Sequence, residues 1–184
     1  MLLLKKHTIM YIVTAIAVTM FFSCKDNFSE VQKIGMSDNE PIGVADTINV
    51  KYTDSGAVKA VLISPKMFDF SNRDFPFYEF TEGVNLELFD DENNKTTVVS
   101  DYAISYSNTD LIDLQGNVTI VTHTNDTLLA EQLYYDQKKE WAFTNKPFTY
   151  IKGADVISGN GFDSDSKFNN VEVFEMEGNI TVED

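Results

Sequence analysis

The sequence predicts an all-β fold, and three observations carry that prediction. Apolar and polar residues alternate in many short runs bounded by turn-forming residues, which is the period of a half-buried strand. After Cys24, no segment sustains apolar residues at helical spacing for three turns, and residues 131–139 offer one short helical turn at most. Comparable strand beginnings recur at intervals of 31 to 33 residues, as expected of a stacked or rolled sheet whose units complete one another's core. The chain has 184 residues, is 43% hydrophobic and contains 14 Phe and 8 Tyr, enough apolar material for one folded domain.

The N-terminus reads as an export leader. Lys5 and Lys6 precede an apolar run over residues 9–22, broken only by Thr14 and Thr19 and shorter than the ~20 residues a spanning helix needs. The run ends in Phe21-Phe22-Ser23-Cys24, which resembles the lipobox of bacterial lipoproteins, in which the cysteine becomes the acylated first residue. Cys24 is the only cysteine, so no intramolecular disulfide can form. The expected organisation is a leader over 1–23, a lipid-anchored flexible tether over 24–45 and a β domain over 46–184.

Loss of the leader removes Lys5 and Lys6 and no acid, taking the formal charge from -15 to -17 and leaving 12 Lys and Arg against 29 Asp and Glu. Phosphate-rich polymers are held by basic side chains that release counterions, so nucleic acid is not an expected partner.

Along the chain, residues 25–45 are polar and aperiodic, as befits a tether. Ile48, Val50 and Tyr52 then alternate with Asn49 and Lys51, and Asp54-Ser55-Gly56 turns the chain into Val58, Ala60 and Leu62. Val84, Leu86 and Leu88 alternate with Asn85 and Glu87 before a turn over 90–95 and a strand through Thr97, Val98 and Val99. Further strands are predicted at 111–114, 118–121, 128–135, 140–144, 147–151, 154–158, 171–176 and 179–182. Gly83, Gly116, Pro147 and Gly178 mark the repeat, at spacings of 33, 31 and 31. In the repeated unit, Leu114, Gly116 and Val118 correspond to Phe143, Pro147 and Phe148.

Candidate chemistry is sparse. His123 stands in a polar turn, Thr122-His123-Thr124-Asn125-Asp126, and no His/Cys cluster has zinc spacing. Asp163-Ser164-Asp165 opens like a calcium loop, but Lys167 replaces an oxygen ligand, Phe168 the turn glycine and Phe174 the final Glu. Gly159-Asn160-Gly161 lacks the third glycine and the helix of a phosphate loop and reads as a turn or bulge. The abundant carboxylates show no paired, buried setting. No catalytic residue, metal or cofactor is expected.

What remains is an apolar face. Val118, Ile120, Leu133, Phe143, Phe148, Tyr150, Val171 and Val173 line the inside if the repeat stacks in register. They are either a closed core or the lining of a groove for acyl chains, each buried CH₂ contributing about 0.8 kcal/mol. The closed-core alternative implies a structural or adhesive envelope lipoprotein. A glycan-binding module would need exposed aromatics, Trp141 among them, beside a cleft.

The run from Tyr102-Ala103-Ile104 through Asp110-Leu111-Ile112-Asp113-Leu114 into Gly116-Asn117-Val118-Thr119-Ile120, continuing with 126–136, resembles the LptC family, as does Ile157-Ser158-Gly159-Asn160-Gly161-Phe162. The resemblance covers about 48–182. It implies a twisted β-jellyroll on the periplasmic side of the inner membrane, attached to an LptB/LptF/LptG-type ABC transporter that extracts lipopolysaccharide and supplies the energy. It also implies that the acyl chains of lipid A ride inside the roll. The C-terminal edge strand, here Asn179, Ile180, Thr181 and Val182, would dock onto an LptA-type β-jellyroll by strand addition. The better-known members keep a transmembrane helix where this chain has a lipobox-like end, which leaves open which membrane holds the anchor.

Overall fold

The computed structural model describes Tyr11 and residues 40–177. The leader, Cys24, the tether as far as residue 39, and Asn179, Ile180, Thr181 and Val182 lie outside the described residues. By internal contacts the chain divides into Met1–Glu40 and Pro41–Asp184. Tyr11 and Glu40 are the described residues of the first unit, and every strand lies in the second.

The described strands are β1 (Gly43–Asp54), β2 (Ala57–Phe70), β3 (Phe77–Phe80), β4 (Val84–Phe89), β5 (Lys95–Ser100), β6 (Tyr102–Tyr106), β7 (Leu111–Val121), β8 (Thr127–Asp136), β9 (Trp141–Lys152), β10 (Asp155–Asp165) and β11 (Val171–Glu177). All pairings are antiparallel within one sheet. β1 pairs β2, whose first part pairs β4 and whose last part pairs β3. β4 pairs β5, β3 pairs β6, and both β5 and β6 pair β7. From β7 the sheet proceeds strand by strand to β11. β1 and β11 are its edges among the described residues.

Irregularities line up across the sheet between β1 and β10, some inside a strand and some where one strand gives way to the next. Thr47 of β1 has φ 56°. Gly83 separates β3 from β4, and Asp101 separates β5 from β6. Gly116 and Asn117 (φ 72° and 46°) bulge β7 where it exchanges β6 for β5, register shifts follow after Ala130 in β8 and at 145–146 in β9, and Gly161 has φ 82° in β10. A bulge bends its strand and sharpens the twist, so aligned bulges fold a sheet along a line. The repeat in the sequence is this crease: Gly83, Gly116 and Pro147 are places where alternate rungs of the sheet cross it.

The crease divides the sheet into two layers that face one another. In the first, cross-strand partners form an inner row of one apolar side chain per strand: Val50, Leu62, Leu86, Val98, Ile120, Leu128, Tyr150 and Ile157. In the second, Phe80, Ala103, Leu114 and Leu133 form one inner row, and Ile112, Tyr135 and Ala142 lie in another. Both layers contribute to a single core, in which each large side chain removed from water contributes roughly 1.5–3 kcal/mol.

Several strands differ from expectation. Residues 111–114 and 118–121 belong to one strand, β7, and residues 140–144 and 147–151 contribute to one strand, β9, because bulges bend these strands without ending them. Of residues 131–139, read as one short helical turn at most, 131–136 complete β8. β1 begins at Gly43, inside the stretch read as tether. β3, the four residues directly after Pro76, had no sequence signal of its own.

Candidate functional site

Of the residues expected to line the interior, Val118, Ile120, Leu133, Phe148 and Tyr150 lie in the buried core, and Val171 and Val173 pack against it half-buried. Phe143 is the exception and corrects the sequence reading. It points to the outer face, 37% exposed, where its ring stacks on Tyr134 with centroids 5.4 Å apart. The reason is parity. β9 runs unbroken, so Phe148 and Tyr150 share the inner face with Thr144 and Ala142, and a residue five positions from Phe148 must face the other way.

Between the layers lies an apolar cavity of about 30 Å³. Leu86, Leu88, Val98 and Ile120 line it from the first layer, and Ile112, Leu114, Leu133, Tyr135 and Ala142 from the second. That space is about one water's share of liquid volume, whereas small-molecule sites occupy ~300–1,000 Å³. As it stands the space between the layers is nearly filled, and Phe168 is among the side chains that fill it.

Phe168 comes from the β10–β11 connection, where sequence reasoning saw only the lost glycine of a calcium motif. It is 4% exposed and lies between the layers. Its ring stacks on Tyr150 of the first layer at 5.7 Å and meets Phe162 of the second at 5.9 Å. Its backbone has φ 55°, a left-handed conformation rare for a bulky residue and costing ~1–3 kcal/mol.

Asp165 holds that geometry in place. Its Oδ1 accepts the backbone N–H groups of Lys167 and Asn169 at 3.1 and 2.8 Å, its Oδ2 accepts Asn170 Nδ2 at 2.9 Å, and its carbonyl accepts the Phe168 N–H at 3.1 Å. The Ser166 N–H also donates to the Glu140 carbonyl at 2.9 Å, tying the connection to the β8–β9 turn. The carboxylate that looked like a metal ligand thus folds a hairpin that presents a plug.

The mouth of the interior is polar. Burial, and then the charges of Glu140 and Asp136, push the Tyr135 phenol up to about 12. Burial and Asp126 push Tyr150 up to about 12 as well. The Tyr150 hydroxyl is buried and, among the described residues, finds no hydrogen-bond partner of good geometry. The β4–β5 turn closes on itself through Asp90, whose carboxylate accepts the Asn94 Nδ2 donor, and this bond, followed by backbone N–H bonds from Asn94 and Glu92, holds its carboxyl below the usual range. His123 sits exposed in the β7–β8 turn, as its sequence context implied.

At the sheet edges the inner face comes to the surface. Val50 and Tyr52 of β1 continue the inner side of the first layer yet are 53% and 63% exposed. Met176 of β11, opposite Gly159, is exposed as well. The lining therefore runs from a buried centre to two open edges.

Compared with known proteins, no curated sequence matches this chain significantly. Residues 9–177 match the family described as lipopolysaccharide-assembly, LptC-related. With that match over nearly the whole chain, a creased antiparallel β-jellyroll and an apolar interior between its layers, the protein belongs to the LptC family and serves in lipopolysaccharide transport.

Proposed function

We propose that this protein holds the acyl chains of lipopolysaccharide between its two layers and passes the lipid along a β-jellyroll bridge. The observation that carries the reading is the inner row of one apolar side chain per strand, reaching exposed edges and occupied between the layers by Phe168. Lipid enters when the 166–170 connection swings out and the layers part at the mouth, while the crease holds them together at the other side. The displaced Phe168 leaves a strained backbone conformation, which offsets part of the cost of opening.

The lipid comes from an LptB/LptF/LptG-type transporter, whose ATPase supplies the energy. It leaves toward an LptA-type β-jellyroll that adds a strand on the β11 side, using Asn179, Ile180, Thr181 and Val182. Backbone groups of an edge strand are ready for such pairing. Acylated Cys24 holds the domain at the periplasmic face of the membrane.

Photocrosslinking in living cells tests this. A benzoylphenylalanine at Tyr150 is expected to capture lipopolysaccharide, one at Val182 to capture a protein, and one at Phe143 to capture no lipid. Lipid captured at Phe143 and not at Tyr150 would place the lipid on the outer face and overturn the reading. No adduct at any position in folded protein would favour a structural envelope lipoprotein. Mass spectrometry of the mature N-terminus should find an acylated Cys24, and a retained residue 1–23 segment would refute the anchor.

A further inference from the structure

On the outer face of the second layer, beside edge strand β11, lies a groove of about 460 Å³. The Gly161 bulge forms its floor: a Cβ added there would come within 2.8 Å of the Phe174 ring, so the absence of a side chain is what lets that ring lie across the strand. Phe174 is 65% exposed, and Tyr134 and Phe143 supply a stacked aromatic pair to the same groove. Asp163 and Glu175 bring carboxylates to it, Asn145 and Asn160 bring amides, and Glu172 stands directly opposite Asp163 on β11.

These carboxylates lack counter-charges. Among the described residues, none of Asp163, Glu172 and Glu175 forms an ion pair, although Lys59, Lys66, Lys95 and Lys139 each find an acid elsewhere. The Trp141 indole N–H donates to Asp163 Oδ1, and Oδ2 has no donor among the described residues. Asp113, on the same outer row, shows how this sheet satisfies a carboxylate internally: Gln115 and Gln132 donate to it at 2.7 and 2.8 Å. Asp163 has no such pair of amides. Burial, and then the charge of Glu172, raise its carboxyl from the ordinary value.

Exposed aromatic faces beside uncompensated carboxylates complement a cation, and a planar one above all, because a guanidinium stacks on rings while its N–H groups reach carboxylate and amide oxygens. We infer that the groove lined by Phe143, Asp163 and Phe174 receives an arginine side chain of a protein partner. A protein is the favoured source because the groove adjoins a sheet edge, where a neighbouring strand would carry the next residue of the outer row past Asp163 and Glu172. None of the inner-face residues takes part, so the inference stands or falls independently of acyl-chain binding.

The single tryptophan of the chain, Trp141, reports on this groove directly. Full-length protein would be titrated with acetyl-Val-Arg-Val-amide and with the same peptide carrying citrulline, the neutral isostere of arginine. The arginine peptide should give a saturable change in Trp141 fluorescence that weakens with added salt, and the citrulline peptide should give none. Asp163→Asn and Phe174→Ala should each weaken the response at least fivefold. Phe174 is exposed, so its truncation leaves the core intact, and circular dichroism would check the fold of both variants. Equal responses to both peptides, or no response to either, would overturn the inference. A response to N-acetylglucosamine in place of the arginine peptide would make the groove a saccharide site instead.

Discussion

Phe168 joins a bulky side chain at positive φ to almost complete burial, a pairing that ordinary packing does not favour. Replacing it with Ala removes a buried ring and should lower stability by ~3–5 kcal/mol in urea unfolding. Phe168→Gly should be the milder of the two changes, by about 1 kcal/mol, because only Gly adopts φ 55° without strain. That order reverses the usual penalty of Gly. If Phe168 is the plug, either variant should also take up a fluorescent dodecanoyl probe faster than the parent. At Tyr150 the expectation is opposite in sign: Tyr150→Phe removes a hydroxyl that is buried without a good partner among the described residues, and stability should hold or rise by up to ~1–3 kcal/mol. A marked loss would reveal a partner for that hydroxyl. The inward positions of Leu133 and Phe148 were legible from simple alternation. Phe143 was misread because the repeat matched it to Leu114 and split 140–144 from 147–151, whereas one strand absorbs residues 145–146 as a bulge and keeps its phase.

The element that most shapes this fold is the bulge in β7. Gly116 has φ 72°, and a Cβ there would meet the Asp101 side chain at 3.0 Å, at the point where β5 gives way to β6. Asn117 is bound to the same carboxylate, its Nδ2 donating at 2.6 Å. Gly116→Ala should therefore cost ~1–3 kcal/mol, through both strain and contact. Gly56, in the β1–β2 turn at φ 83°, has nothing within 4 Å of an added Cβ, so Gly56→Ala should incur backbone strain alone. Urea midpoints of the two variants compare them, and equal losses would deny the crease its packing role. The Gly-Asn pair was visible in the sequence as punctuation. What it punctuates was not, because a bulge inside a strand and a turn between strands use the same residues and differ only in what pairs with them.

At the scale of the whole molecule, Tyr135 and Tyr150 keep their phenol protons to about 12 because the fold buries them. The unfolded chain gives up those protons near the ordinary tyrosine value of about 10. This contribution to stability is therefore complete below that value and declines as pH rises through it toward about 12. Urea midpoints should fall over that interval, and the fall should be smaller for Tyr150→Phe; an unchanged decline would assign the effect to other groups. From residue type and spacing alone came the all-β class, the strand period, the inward side of most of the apolar residues named and the family, since these are properties of one chain read along its length. Only the tertiary structure decided that the repeat is a crease across the sheet, that Phe143 faces outward, and that a failed calcium motif holds Phe168 between the layers. Each of these depends on which strand lies beside which, and a period of two says that a face is buried without saying what comes to cover it.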